Sequence, residues 1–223
     1  MLPLGVPTNP KPLFTMEPYV VNIGRSLGSG GRAIGRMLAQ QLGIAYYDRE
    51  ILLLAARQSG LCPEVFERSD EKNRFLRTLG NIIPFVGGGS AYYTHELSNE
   101  NLFSIQSEAI RQAARKESCS FIGRCADYVL REHPRCVNVF VTADMADRMA
   151  RVCQLSQCDE KKAHELIEKG DRERAAFYNF YSSGTWGAAS TYHLCVNSSV
   201  LGIERTAQFI RSFIEQKLNL NND

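Results

Sequence analysis

The stretch that decides the fold is GRSLGSGGRAIGR (residues 24–36), which directly follows the short apolar run 19–23. After the glycines, apolar residues at 34, 38 and 42 have the spacing of one helix face. A strand, a glycine-rich turn and a helix in this order direct backbone N–H groups and a helix N-terminus at one point. The stretch therefore predicts a phosphate-binding loop, although a glycine-rich turn that binds nothing has the same appearance.

Two phosphate-binding patterns fit this loop. In the dinucleotide pattern G-x-G-x-x-G/A, the matching residues are Gly28, Gly30 and Ala33, and Asp48 stands where the ribose-binding acid is found. However, Gly28 comes five residues after Ile23, the last apolar residue of the predicted strand. The tight dinucleotide turn starts directly from its strand, whereas a loop of this length is typical of one that wraps around a phosphate.

The second pattern is the P-loop, G-x-x-x-x-G-K-[ST]. If its last glycine is Gly30, then Gly31 stands at the lysine position and Arg32 at the Ser/Thr position, so two defining residues are absent. Arg32, or Arg25 from the other end of the loop, is a candidate to replace the lysine. The residues predicted to bind the cofactor phosphates are Arg25, Gly28, Ser29, Gly30, Gly31, Arg32 and Ala33.

Short apolar runs alternate with helical patterns along the chain, which predicts an α/β fold with a parallel sheet. The predicted strands are 19–23, 44–47, 120–122, 137–142 and 193–197. The predicted helices are 33–42, 99–116, 144–155 and 203–218, with Asp144 as the N-cap of the third. No convincing strand pattern occurs between 48 and 117, which indicates a helical insertion, and the loop 84–90 (PFVGGGS) inside it suits a hinge or flap.

The amino-acid composition limits the classes of function that the chain can have. The chain has 223 residues, a formal net charge of +2 and seven cysteines. This balance gives no reason to expect binding to nucleic acid or membrane, and the odd cysteine count predicts reduced thiols in a cytoplasmic protein. Residues 1–18 hold five of the eight prolines and lack the pattern of a signal peptide, so they are predicted to be an extended or disordered lead-in.

Several segments together resemble one family, the cytidylate-kinase-like proteins. They are GRSLGSGGR (24–32), YYDRE (46–50), FIGRCADY (121–128), DRER (171–174), Trp186, Tyr192 and VNSS (196–199). The resemblance extends in the right order over about residues 19–215. It implies a three-layer P-loop kinase fold in a single domain, 19–218, with a monophosphate-binding insertion at 48–117 and a lid at about 156–190.

The resemblance also implies an activity, which is ATP-dependent phosphoryl transfer to a nucleoside monophosphate, with cytidylate as the family default and ATP and Mg²⁺ as cofactors. The acceptor is expected beside Asp48, Arg49, Arg124 and Asp127. Arg124 follows an apolar strand, where doubly wound sheets bind ligands. Its alternative is a surface arginine that opposes Asp127 or Glu132.

Phosphoryl transfer requires that the charge of the moving group be offset, and arginine suits this task because its planar fork binds two phosphate oxygens. Arg148 and Arg151 share one helix face, and Arg172 and Arg174 fall in the expected lid. All four are predicted to be catalytic. The alternative is that they form ion pairs on exposed helix faces.

Neither a metal ligand nor an oligomeric state is assigned by the pattern. The Ser29 hydroxyl and the carboxylates of Asp48 and Asp127 are the candidates for magnesium or its bound water. The missing lysine leaves open a nucleotide-binding module without catalysis, and the dinucleotide pattern leaves open an oxidoreductase.

Overall fold

The computed structural model describes residues 17–48 and 99–220. Residues 1–16 of the predicted lead-in, Arg49, the loop 84–90 and most of the insertion lie outside these ranges. All remaining predicted elements fall within them.

Five parallel strands form one sheet. They are β1 (Val20–Arg25), β2 (Ala45–Tyr47), β3 (Cys119–Ile122), β4 (Cys136–Thr142) and β5 (Leu194–Asn197). The order across the sheet is β2-β3-β1-β4-β5. Val20 of the central strand β1 is in register with Cys119 on one side and with Cys136 on the other. The parallel α/β sheet is thus confirmed, and every predicted strand end lies within two residues of the observed one.

Six helices surround this sheet in the described part of the chain. They are α1 (Gly31–Leu42), α2 (Asn99–Lys116), α3 (Ala126–Val129), α4 (Met145–Ser156), α5 (Glu160–Tyr181) and α6 (Ser198–Leu218). Asp144 takes the N-cap position of α4, but its carboxylate accepts from the Asn197 amide instead of capping the helix. Helix α6 begins five residues earlier than predicted and is interrupted at Gly202.

The long helix α5 was not predicted, because its apolar stripe is thin. Only four of its residues are buried, namely Ala163, Ile167, Gly170 and Tyr178. They recur at roughly helical spacing among many charged residues, and such a pattern is easily missed when only apolar residues are counted.

Each face of the sheet is covered by different helices. On one face, Ile23 and Val139 pack in a cluster with Ile34 of α1 and Ile210 of α6. On the other face, Phe121 packs with Ile110 of α2 and Ala126 of α3. This is the predicted arrangement of three layers, and it places the glycine loop at the carboxyl end of β1.

Sheet order also decides between the two patterns of the loop. In the dinucleotide-binding fold the second strand pairs directly with the first. Here β3 lies between β1 and β2, so Asp48 at the end of β2 is one strand further from the loop. The dinucleotide alternative is therefore not the arrangement that this chain adopts.

The described helices include none with both the length and the apolar character needed to cross a membrane.

Candidate functional site

The backbone of the loop depends on two glycines with left-handed conformation, Gly28 (φ 77°) and Gly30 (φ 78°). A Cβ at position 30 would lie 2.0 Å from Cδ1 of Ile203. Between them, Ser29 is fully buried, and its hydroxyl donates to the Ser26 carbonyl at 2.9 Å. The carbonyl of Ser29 accepts from the Ser198 hydroxyl at 2.7 Å. The Ser29 hydroxyl therefore serves the loop itself.

Side chains of helices α4 and α5 bind the backbone of the loop. Arg148 donates from Nε to the Leu27 carbonyl at 2.7 Å, and Arg151 donates to the Gly28 carbonyl at 3.0 Å. Asp171 of α5 accepts from the Leu27 N–H at 2.7 Å and also forms an ion pair with Arg148. The structure thus brings both arginines of α4 to the loop, where they bind its carbonyl groups.

Asp171 is a site residue that sequence reasoning missed. It begins the DRER segment on which the family resemblance partly rests, and the arginines that follow it were predicted to be catalytic. Its carboxylate joins Leu27, bound through Oδ1, to Arg148, bound through Oδ2, and Arg174 Nη1 lies 3.7 Å from Oδ1. The signal that points to it is an acid in a segment otherwise expected to bind anions.

The Arg25 side chain lies beside Gly31, at the start of α1, and beside Gly123, in the turn after β3. A Cβ at Gly31 would lie 2.6 Å from the Arg25 Cβ, and a Cβ at Gly123 would lie 1.8 Å from its Nη1. These two glycines provide the space in which the Arg25 side chain lies. It runs from the end of β1, past the start of α1, to the turn that follows β3.

The electrostatic surroundings of Arg25 are unusual. Burial lowers the pKa of its guanidinium well below the ordinary value, and the nearby guanidinium groups of Arg174, Arg124 and Arg32 lower that pKa further. In the described ranges, no carboxylate or carbonyl accepts a hydrogen bond from the Arg25 side chain. Arginines of β1, α1, the turn after β3 and α5 therefore lie close enough to influence one another beside the loop.

Arg124 is presented by a strained turn. Gly123, Arg124 and Cys125 have φ values of 69°, 65° and 53°, so three successive residues are left-handed. Outside glycine this conformation costs on the order of 1–3 kcal/mol per residue, and such residues cluster at functional sites. The Arg124 guanidinium carbon lies 5.9 Å from the ring centre of Phe177 on α5.

The structure separates the two lid arginines. Arg174 lies near Arg25 and Asp171, on the inner face of α5. Arg172 is about 200° away around the helix. Its side chain is 73% exposed, and its Nη1 lies 4.0 Å from the carboxylate of Glu168 on the same helix. The structure does not bring Arg172 to the loop.

Arg32 and Asp48 connect the start of α1 with the end of β2. Arg32 donates from Nη2 to Asp48 Oδ2 at 2.7 Å and from Nε to the same oxygen at 3.2 Å. This hydrogen bonding raises the pKa of Arg32, and Asp48 itself is only 6% exposed. Ala33 is exposed in the first turn of α1. Asp48 is thus brought next to the loop, with its carboxylate bound by Arg32.

Asp127 of α3 lies beside Tyr178, which is one turn further along α5 than Arg174. Its carboxylate accepts from the Tyr178 hydroxyl at 2.5 Å, and burial raises its pKa. Both side chains line a cavity of about 370 Å³. Most of the other lining residues are polar, among them Asn138, Ser183, Thr185 and Thr191.

A magnesium site is not formed by the described residues alone. Within 17–48 and 99–220 no group of three or more His, Cys, Asp or Glu side chains is arranged to hold a metal ion. Two candidate ligands are already bound, since the Ser29 hydroxyl donates within the loop and Asp48 accepts from Arg32. The phosphate groups of a nucleotide do fit, because the loop, the helix N-terminus and Arg25 all favour an anion.

A five-stranded parallel sheet with this glycine loop defines the class of P-loop kinase folds. Solved structures agree. The chain resembles an uncharacterized protein from Eubacterium ventriosum (TM-score 0.66, 23% identity, 88% of this chain and 98% of that one). It also resembles a shikimate kinase from Bacteroides thetaiotaomicron (TM-score 0.52, 13% identity, 88% and 98%) and a gluconokinase from Sinorhizobium meliloti (TM-score 0.51, 13% identity, 93% and 99%).

The model of the cytidylate kinase-like family matches residues 20–200. This chain belongs to that family. No curated protein sequence matches it.

Proposed function

We propose that the protein transfers the γ-phosphoryl group of ATP to a nucleoside monophosphate. The observation that carries this proposal is the Arg25 guanidinium, which lies between the loop and the turn after β3, has Arg32, Arg124 and Arg174 as electrostatic neighbours, and has no carboxylate partner in the described ranges. Gathering like charges is unfavourable unless an anion binds between them. Membership of a kinase-like family supports a phosphorylated nucleotide as that anion.

Each group of residues has a distinct role in this proposal. The amides of residues 28–33, together with Arg25 and Arg32, hold the polyphosphate of ATP. Arg148, Arg151 and Asp171 are positioning residues, since they bind the loop backbone rather than the open side of the loop. Arg124 and Arg174, which lie near Arg25, are proposed to hold the acceptor and the moving phosphoryl group.

The chemistry requires little covalent work from the chain. A phosphate oxygen of the acceptor attacks the γ-phosphorus, the bond to the β,γ-bridging oxygen breaks, and ADP leaves. No general base is needed, because the attacking phosphate oxygen is already ionised. The arginines offset the charge on the equatorial oxygens, and this is where they lower the barrier.

The acceptor is proposed to be cytidylate or a close relative. Asp48, Arg49 and Arg124 are proposed to contact its phosphate, and Asp127 to contact the remainder in the polar cavity. The predicted insertion (48–117) and lid (about 156–190) of the single domain 19–218 would close over it and exclude water. The six cysteines of the described ranges are free thiols, which fits the proposed cytoplasmic location.

A second candidate is a nucleotide-binding module that does not transfer phosphate. It is favoured by the buried Ser29 hydroxyl, which donates to Ser26 and is the only hydroxyl between Leu27 and Arg32. In P-loop enzymes a loop hydroxyl binds magnesium. Because the described residues supply no replacement set, we assign no step to the metal.

One assay distinguishes the two candidates. The protein is given ATP, magnesium and CMP, dCMP, UMP, AMP or GMP, and ADP formation is followed. Acceptor-dependent turnover that Arg25→Ala lowers supports the kinase. The matched control is Arg211→Ala, an exposed arginine of α6 that pairs with Glu215 of its own helix. Binding of ATP without turnover on any acceptor supports the binding module, and absence of ATP binding overturns both.

A further inference from the structure

Two cysteines meet at the corner between α4 and α5. Cys153 is in the last turn of α4, Gln157 follows that helix in the left-handed conformation (φ 50°), and Cys158 comes next. The N–H of Cys158 donates to the Cys153 carbonyl at 3.3 Å. This is the six-to-one hydrogen bond of a Schellman cap, a motif in which the side chains of these two positions are commonly in contact.

The Cys158 thiol influences the ionisation of Cys153. Burial raises the pKa of Cys153, and the Cys158 thiol and Glu160 raise it further. Both side chains are half-buried, so a small reagent reaches them. They also pack with Val152 and Ile167 in a small apolar cluster.

We propose that Cys153 and Cys158 are a thiol pair that an oxidant of the peroxide class converts reversibly into an intramolecular disulfide. Cys158 attacks one peroxide oxygen, so that a sulfur–oxygen bond forms, the oxygen–oxygen bond breaks and water leaves. Cys153 then attacks the sulfur of this sulfenic acid, loses its proton, and a second water leaves. The two thiols supply the two electrons that reduce the peroxide.

The other described cysteines lack a neighbour that permits this reaction. Cys119 and Cys136 are buried, with burial raising the pKa of each to about 12, and strand β1 separates them. Cys125 is likewise buried, with a pKa of about 12. Cys195 is exposed, and no other described thiol is in contact with it. It therefore serves as an internal marker for oxidation that does not form a bridge.

The bridge would act on the glycine loop. Leu27 of that loop packs in the same apolar cluster as the two cysteines. A disulfide holds its sulfur atoms about 2.05 Å apart, much closer than two thiols in contact. Forming the disulfide therefore shifts the side chains that pack around Leu27, whose N–H donates to Asp171. This inference does not depend on phosphoryl transfer.

The test uses the full chain, reduced, then treated with hydrogen peroxide and blocked with N-ethylmaleimide. Both cysteines fall in one tryptic peptide, which begins at Val152 after Arg151. We expect this peptide to be lighter by two hydrogen atoms, to carry no maleimide, and to revert with dithiothreitol. Cys158→Ser should leave Cys153 open to maleimide. A peptide that still carries two maleimide groups when Cys195 is oxidised overturns the proposal.

Amide hydrogen exchange tests the coupling to the loop. After oxidation the amides of segment 24–32 should exchange faster in the wild-type chain. In Cys158→Ser treated in the same way, their exchange rate should not change. A bridge that forms without any change in this segment contradicts the coupling. Neither measurement requires ATP, so failure here and failure of the proposed kinase activity are distinguishable.

Discussion

Arg25 occupies the space that a side chain at Gly31 would need. A Cβ at position 31 would lie 2.6 Å from the Arg25 Cβ and 3.1 Å from its Cγ. Gly31 stands where the P-loop pattern has its lysine. This chain thus has a cation at the end of the strand and none at the start of the helix, and a side chain at position 31 would collide with Arg25.

Exchanging the two residues tests this relationship. Gly31→Lys alone should lower the free energy of unfolding by about 1–3 kcal/mol, because it overpacks the space beside Arg25. The double variant Arg25→Gly, Gly31→Lys removes the collision and restores a lysine. We expect its unfolding free energy in denaturant and its ATP affinity to exceed those of Gly31→Lys. If the losses of unfolding free energy caused by the two single substitutions simply add in the double variant, the two side chains do not exclude each other.

Inorganic triphosphate should stabilise the wild-type protein and not Arg25→Ala. An anion that binds only the folded state raises the melting temperature, by mass action. Without the anion, Arg25→Ala relieves repulsion among the arginines, so its Tm should equal or exceed that of the wild type. Thermal unfolding with and without triphosphate measures both effects, with Arg211→Ala as the control. An equal triphosphate shift in Arg25→Ala would place the anion elsewhere.

Asp171→Ala should destabilise the protein by about 3–5 kcal/mol, because it leaves a charged, hydrogen-bonded arginine without its partner. Arg148 is only 8% exposed, so water does not replace the lost carboxylate. Denaturant unfolding measures the change. The matched control is Glu165→Ala, which removes an exposed pair with Lys162 on the same helix and should cost about 1 kcal/mol or less. Equal effects for the two variants would show that Asp171 does not support the loop.

Arg174→Ala and Arg172→Ala should differ, although both arginines were predicted to be catalytic. Removing a charge-assisted hydrogen bond costs about 1.5–3 kcal/mol, which corresponds to a loss of roughly tenfold to a hundredfold in kcat/KM for Arg174→Ala. Arg172 is exposed on the outer face of α5, so its effect should be smaller. Steady-state kinetics with the preferred acceptor decides. A larger loss for Arg172 would require that α5 turns during catalysis.

Asp127 should make the protein less stable as the pH rises. Its pKa in the folded state is raised above the ordinary value of 3.8, chiefly by burial. The folded state therefore holds this proton more tightly than the unfolded state does. The stability gained from this tighter proton binding is fully present below the pKa of the unfolded state. It is lost as the pH rises through the pKa of the folded state. Asp127→Asn should lack this loss, so its stability relative to wild type should increase with pH over that window. A difference between the two proteins that is constant with pH would contradict the raised pKa.

Much of the fold follows from local patterns. Strands β1 and β4 are short apolar runs, because both of their faces are buried, and α2 was predicted with its observed ends. Helix α5 was not predicted, because most of its surface is polar. Its position, however, decides much of the site, since it carries Asp171, Arg174 and Tyr178 on one side.

The sequence by itself determined that a parallel sheet would carry a phosphate loop without lysine, because spacing and glycine content are local properties of the chain. It also identified the arginines as a group. Only the tertiary structure decided which of them share a site, since strand order and helix rotation set the distances between segments far apart in sequence. That is why Arg25 meets Arg124 and Arg174, Arg148 binds the loop backbone, and Arg172 faces outward.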